Sequence, residues 1–525
     1  MSIDVLVRSS TSDLATVPRG RRRRGWAMGG VCLAASAAMA AWLPFVDRPL
    51  SPDEGGFLLL AQQWHPGSSL YGSYWVDRPP LLLWLFDLAH HWGPPGDSSD
   101  GMTAPAVKLM GAAASGLAVL LTGVVASLLA PHHPWPRRGA VITAGALLSS
   151  PLLGMPETDG EVLAVPFVLA GIVCLVAAAR RDWDARTAVL TAAAGASAVC
   201  AALIKQNMVD VFVFALVLLV VSRPALPRWG IRVGVFVTSS FSVLLVALAA
   251  AAARGTTPAG LWDAIVVFRF QATAVIRASS SEATPGRMSL LVLAALASGV
   301  ALLAVFCTVV LLAERARRRP VVGSAANPDV LHSALTWSAL AMLAWELCGV
   351  ALGGSYWLHY LTGLVPGVVL LMALVRPSGR GRALLAACVV YVVVASAAVW
   401  VHQADAPAEL SDEARVVHFL RGHASRSDAV VVGFGHAEIV AGSGLSSPYE
   451  HLWSLPVRVR DPSLRELSHV MKSADSPRWV VVAGGSLDSW GLDPQAAQQI
   501  LTRHYVERVA YGDWHIWQHE EGNVR

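Results

Sequence analysis

Runs of about 20 apolar residues recur between Trp26 and His402, and they constrain the fold more than any other feature. A helix of that length rises about 30 Å, the thickness of a bilayer's hydrocarbon core. A bilayer interior offers no water to backbone amides, so runs that cross it must be helical. They fall at about 26–46, 104–130, 139–154, 162–179, 187–203, 206–222, 230–253, 288–313, 331–352, 357–375 and 381–401. Of the 525 residues 54% are hydrophobic and only 14% charged, where soluble domains carry about 25%. A net charge of +4 is too small to point to nucleic acid. The sequence thus predicts a mainly α, polytopic membrane bundle with about 11 crossings plus juxtamembrane helices.

One more apolar piece, Pro79 to Trp92, has only about 14 residues and is short for a crossing. Arginine placement decides its role. If it does not cross, the following arginines fall on one side with Arg19 and Arg21 to Arg24 of the basic segment 1–25: Arg137 and Arg138; Arg180, Arg181 and Arg186; Arg223 and Arg228; Arg315 and Arg317 to Arg319; Arg376 and Arg380. That side is cytoplasmic by the positive-inside bias. If the piece crossed, every cluster that follows it would move outside. The expectation is therefore a plasma-membrane protein with a retained first helix and a cytoplasmic N-terminus. Segments 47–103, 156–161, 254–287 and 353–357 lie on the outer face. The six cysteines all fall inside apolar runs, as buried thiols rather than a disulfide framework.

The membrane region ends near 402, and 403–525 is a different material. Strand-like runs Ala429–Gly433 and Trp479–Ala483 alternate with helical patterns at Pro462–Ser473 and Pro494–His504, before an aromatic stretch Tyr511–Trp517. This predicts a small extracytoplasmic α/β domain. Gly433-Phe434-Gly435 does not complete a dinucleotide fingerprint, because Glu438 stands where the third glycine belongs.

Chemistry concentrates in the first outer loop. Ser51-Pro52-Asp53-Glu54 reads as a helix start, with Ser51 as N-cap, Pro52 at the first position and Glu54 closing a capping box. Glu54 then has a structural task while Asp53 projects free at the membrane surface. Arg78, ahead of Pro79-Pro80, either snorkels to headgroups or holds a phosphate with its guanidinium. Asp159 and Glu161 lie at the outer mouth of a span, either as polar loop residues or as a second acidic contribution to the site. Lys205, alone among lysines between 109 and 471, either snorkels or meets an anionic lipid. His359-Tyr360 begins an outer-facing helix, as packing residues or as further site candidates.

This order of motifs resembles the polytopic GT-C glycosyltransferases. The likeness is greatest to the family 39/83-like branch with the dolichyl-phosphate-mannose–protein mannosyltransferases and the bacterial aminoarabinose transferase. It is carried by Asp53-Glu54, Gly67-Ser68-Ser69-Leu70-Tyr71, Arg78-Pro79-Pro80, Glu161 ahead of an apolar span, Lys205, and His359-Tyr360 before Pro366. The resemblance implies inverting transfer of a sugar, mannose-like or other, from a polyprenyl-phosphate donor. The acceptor is a glycan, lipid or protein at the outer face. It further implies Asp53 as catalytic base with Glu54 beside it, and Arg78, Lys205 and Tyr71 toward the donor phosphate or lipid. The second acidic position is Asp159 or Glu161, with Glu161 preferred. No metal and no cofactor beyond the lipid-linked donor are expected. Two departures are visible: Phe57 replaces a tyrosine often found after the acidic pair, and Gly55-Gly56 is expected to loosen that turn. A secondary transporter or flippase is the rival reading. It needs coupling residues mid-membrane and related halves, whereas Asp210 and Glu346 lie near outer span ends and no internal repeat is visible.

Overall fold

The computed structural model describes residues 19–92, 102–223, 226–278, 283–317, 328–406, 411–489 and 491–520. Residues 1–18 of the expected cytoplasmic N-terminus, Arg318, Arg319 and positions 93–101 of the first loop lie outside the described residues. Nine helices open the chain: α1 (Arg19–Ala40), α2 (Pro52–Gln63), α3 (Pro80–Trp92), α4 (Pro105–Leu129), α5 (Pro134–Leu148), α6 (Gly160–Ala179), α7 (Ala185–Ile204), α8 (Asp210–Val221) and α9 (Trp229–Ala253). In the bundle α4 packs against α1, α5 and α6, and α7 packs against α6 and α9. Small residues set those approaches, as they commonly do between membrane helices. At Gly123 of α4, a Cβ would come 2.6 Å from a methyl of Val31 on α1.

Among the described residues eight helices are long and apolar enough to cross a membrane, or nine if a bent pair counts as one span. The helical bundle is as expected, but the individual runs need three corrections. The run at 288–313 is two helices bent by 61°, Thr284–Ala297 and Val300–Arg317. Its break falls at Gly299, whose φ of +76° is left-handed and ends the first helix. The runs at 139–154, 206–222 and 357–375 form shorter helical pieces, α5, α8 and Leu358–Leu374. Segment 254–287, expected as a loop, is instead helical from Pro258 to Ala278 through one π turn. It is long and apolar enough to cross a membrane, yet it packs on the first loop and the tail, at the end of the bundle where these meet. Its inward face, Ala264, Phe268 and Ala272, packs on Trp75, Leu455 and Val459.

Arginines gather at the opposite end and tie down helix C-termini, where free carbonyls await donors. Arg232 donates to the Ala178 carbonyl at 2.9 Å, and Arg376 to the Leu129 carbonyl at 3.1 Å. At the other end, α3 is 13 residues long, about 20 Å and too short to span. Its Asp87 pairs with Arg254 just past the end of α9, at 2.9 Å.

The tail folds around a four-stranded sheet in the order β1-β2-β4-β3, with β1 (Val430–Gly433), β2 (Trp479–Ala483), β3 (Tyr505–Tyr511) and β4 (Trp514–His519). β1 and β2 run parallel, and β4 is antiparallel to both β2 and β3. β1 and β2 are nearly continuous buried valine runs, as strands covered on both faces should be. The tail docks on α2. Gly55 and Gly56 are regular helical residues there, not a loosened turn. A Cβ on Gly55 would lie 2.6 Å from the Glu438 Cα, so α2 and the tail helix Ala437–Ser443 meet through this gap.

Candidate active site

Ser51 caps α2 as its sequence dictates: its hydroxyl accepts from the Glu54 amide at 3.3 Å, and the Glu54 carboxylate accepts from the Ser51 amide at 2.9 Å. Glu54 is completely buried. Its oxygens also accept from Lys108 Nζ at 2.8 and 2.6 Å and from the Thr158 amide at 2.7 Å. That carboxylate is saturated and unreachable, so Glu54, expected beside the base in the catalytic pair, is a structural post joining α2, α4 and the 156–159 loop.

Asp53 is its opposite. Its side chain is 34% exposed, and the two oxygens face different partners. Oδ1 accepts from the Trp453 indole N–H at 2.8 Å, and Oδ2 lies 3.9 Å from an Arg78 Nη. The second distance exceeds hydrogen-bond length, leaving room for a ligand oxygen. Trp453 also stacks on Phe57, with centroids 5.7 Å apart.

Arg78 is held from behind by Asp77 at 2.7 Å, and Asp77 also pairs with Arg269 from the Phe268–Ala278 helix. Burial by itself would raise the Asp77 carboxyl, but Arg269 and Arg78 together hold it below the usual carboxylate range. Burial disfavours the Arg78 cation, and Asp77 and Asp53 more than reverse this. Tyr71 was expected toward the donor. It is fully buried, and its hydroxyl donates to the Arg78 carbonyl at 2.5 Å. It positions the arginine and does not reach a ligand.

Asp159 caps α6, accepting from the Val162 amide at 3.0 Å. Its other oxygen lies 3.4 Å from His359 Nδ1. Lys205, at the C-cap of α7, pairs with Glu161 and sits 4.8 Å from the centroid of the Tyr360 ring. Asp159, Glu161 and His359 present ligand atoms within 4.8 Å of one another. They could hold a divalent cation, although the Lys205 ammonium already occupies Glu161. The two clusters adjoin, because Gln206 donates to the Asp77 carbonyl at 3.2 Å. All nine sequence-derived candidates thus lie at one end of the bundle, seven around the rim and two, Glu54 and Tyr71, behind it. Asp210 begins α8, five residues past Lys205, and Glu346 approaches Gly363 near the His359-Tyr360 turn. Both lie toward this end of the bundle.

Sequence reasoning missed Lys108, Asp77, Arg269 and Trp453. Lys108 had a signal, as a lone charge near the start of an apolar run. Asp77 stood next to Arg78. Trp453 had none.

No family profile matches the sequence, and no curated protein does. Solved structures do match. The oligosaccharyltransferase of Archaeoglobus fulgidus, in complex with Zn and sulfate, aligns over 92% of this chain and 73% of its own, at 12% identity and a TM-score of 0.54. ArnT from Cupriavidus metallidurans, bound to undecaprenyl phosphate, aligns over 95% and 98%, at 13% identity and a TM-score of 0.45. With its long apolar helices and small terminal sheet, this chain has the fold of that archaeal oligosaccharyltransferase, a membrane helical bundle of the GT-C type.

Proposed function

We propose that this chain is an inverting glycosyltransferase, moving a sugar from a polyprenyl-phosphate donor to a glycan, lipid or protein acceptor at the outer face of the plasma membrane. The observation that carries this reading is the Asp53–Arg78 pair. A part-exposed carboxylate and a guanidinium stand 3.9 Å apart on one rim, each fixed from behind by another residue. The arginines at the other end of the bundle support a cytoplasmic assignment for that end. The rim and the tail then lie outside.

The acceptor hydroxyl attacks the anomeric carbon as the bond from that carbon to the phosphate oxygen breaks. Asp53 takes the hydroxyl proton, and the polyprenyl phosphate leaves with the bonding electrons. Inverting glycosidases need a second carboxylic acid to protonate a poor leaving group. A phosphate leaves as an anion, so a cation can replace that acid. Arg78 is placed for this, since guanidinium binds phosphate oxygens through paired N–H donors. The Lys205–Glu161 pair and His359 line the adjoining side, where the sugar or the lipid phosphate would extend.

Two substitutions test the assignment in proteoliposomes supplied with labelled polyprenyl-phosphate sugars. Arg78→Gln removes a charged hydrogen-bond donor to the phosphate, worth about 1.5–3 kcal/mol. The KM for the lipid donor should rise about 10- to 100-fold; an unchanged KM would reject the phosphate role. Trp453→Phe removes the indole N–H that Asp53 accepts from and keeps a smaller aromatic ring beside Phe57. Transfer should fall about tenfold with donor KM unaltered, and an unaffected rate would mean that Asp53 needs no support from the tail.

A further inference from the structure

Away from the rim, the tail contains a second group of ligating side chains that the transfer chemistry leaves unused. Glu450 and His451 sit in the segment that meets the first loop, and Glu466 projects from the helix Arg465–Val470. Their ligand atoms lie within 4.8 Å of one another. His451 is only 3% exposed. Its Nδ1 has no hydrogen-bond partner among the described residues. Its Nε2 faces Glu450 at 3.5 Å and Glu466 at 3.7 Å. Hydrogen bonds from ring nitrogen to oxygen run to about 3.2 Å, so these contacts are too long. They approach the spacing of ligands around one metal: bonds of about 2.0–2.2 Å at a tetrahedral zinc put N and O about 3.4 Å apart.

The neighbouring charges are already committed. Arg460 pairs with Asp263 at 2.6 Å. Asp461 accepts from the amides of Arg465, Glu466 and Leu467 and from the Tyr449 hydroxyl. No lysine or arginine among the described residues forms an ion pair with Glu450 or Glu466. A buried imidazole therefore faces two part-exposed carboxylates at distances too long for hydrogen bonds, with no lysine or arginine paired to either.

We propose that Glu450, His451 and Glu466 form a divalent-cation site of the zinc class, with three protein ligands and a fourth position open to water. The imidazole argues against Mg²⁺ and Ca²⁺, which take oxygen ligands. The site braces the joint between tail and loop: the Trp75 amide donates to the Glu450 carbonyl at 3.1 Å, and the Trp75 ring meets His451 edge-on at 6.1 Å.

Full-length protein in detergent, stripped with a chelator, should be titrated with Zn²⁺ by calorimetry and with Co²⁺ by its ligand-field absorption. One Zn²⁺ site should weaken at least ~10-fold in both His451→Gln and Glu466→Gln, on the scale by which disturbing a metal site lowers affinity. Asp159→Asn at the rim should leave it unchanged. Glu466 is partly exposed, so its variant keeps the test decisive if His451→Gln does not fold. Wild-type protein that binds no Zn²⁺, Glu466→Gln that binds as wild type does, or binding lost in Asp159→Asn instead would each overturn the assignment.

Discussion

Asp53→Asn is expected to lower sugar transfer by about 10²- to 10⁴-fold, the contribution of a positioned general base. The amide keeps the size of the side chain and can still accept from Trp453, so thermal stability should stay close to wild type. Only the capacity to take the acceptor proton is lost. The loss should therefore appear in kcat, with the KM for the lipid donor nearly unchanged. Single-turnover transfer from a labelled polyprenyl-phosphate sugar measures this directly. Transfer at the wild-type rate would remove Asp53 from the chemistry and leave the exposed carboxylate unexplained.

A second large effect falls on stability. Lys108 and Glu54 are both buried and bonded twice at 2.8 and 2.6 Å. Lys108→Met leaves the Glu54 charge in a dry interior, and breaking such a pair from one side costs about 3–5 kcal/mol. The variant should unfold at markedly lower temperature in detergent. Adding Glu54→Gln should recover part of the loss, because the buried charge is gone and the amide oxygen can still accept from one of the Ser51 and Thr158 amides. Recovery in the double variant would separate the structural role of Glu54 from catalysis by Asp53. A Lys108→Met protein as stable as wild type would mean that the carboxylate is compensated in some other way.

What could be read from residues alone divides by the range of the interactions. The Ser51 capping box is closed within four residues, so it was legible, as were the valine runs of β1 and β2 and the short length of α3. Arginine counting grouped the loops of one face correctly, since the tail, the first loop and the 156–161 turn do meet. The Pro258–Ala278 helix was not legible. Its apolar face is matched by Leu455 and Val459, which only the folded tail brings there. The glycines at 55 and 56 were misread for the same reason, because the need for small residues lies in the helix that docks on them. Tyr71 stood in a recognisable motif, yet only the folded loop shows its hydroxyl turned to the Arg78 backbone.

The indole that fixes Asp53 comes from 400 residues downstream. At about 5–20 residues per second of synthesis, roughly 20–80 s separate the making of the carboxylate from the making of its partner. During that interval the rim lacks one wall. The Asp53 contact is completed only when the segment that carries Trp453 has been made and has folded against α2. The order of residues along the polypeptide thus acts as a clock, because a nascent chain cannot present the finished rim until Trp453 has been made and the tail around it has folded.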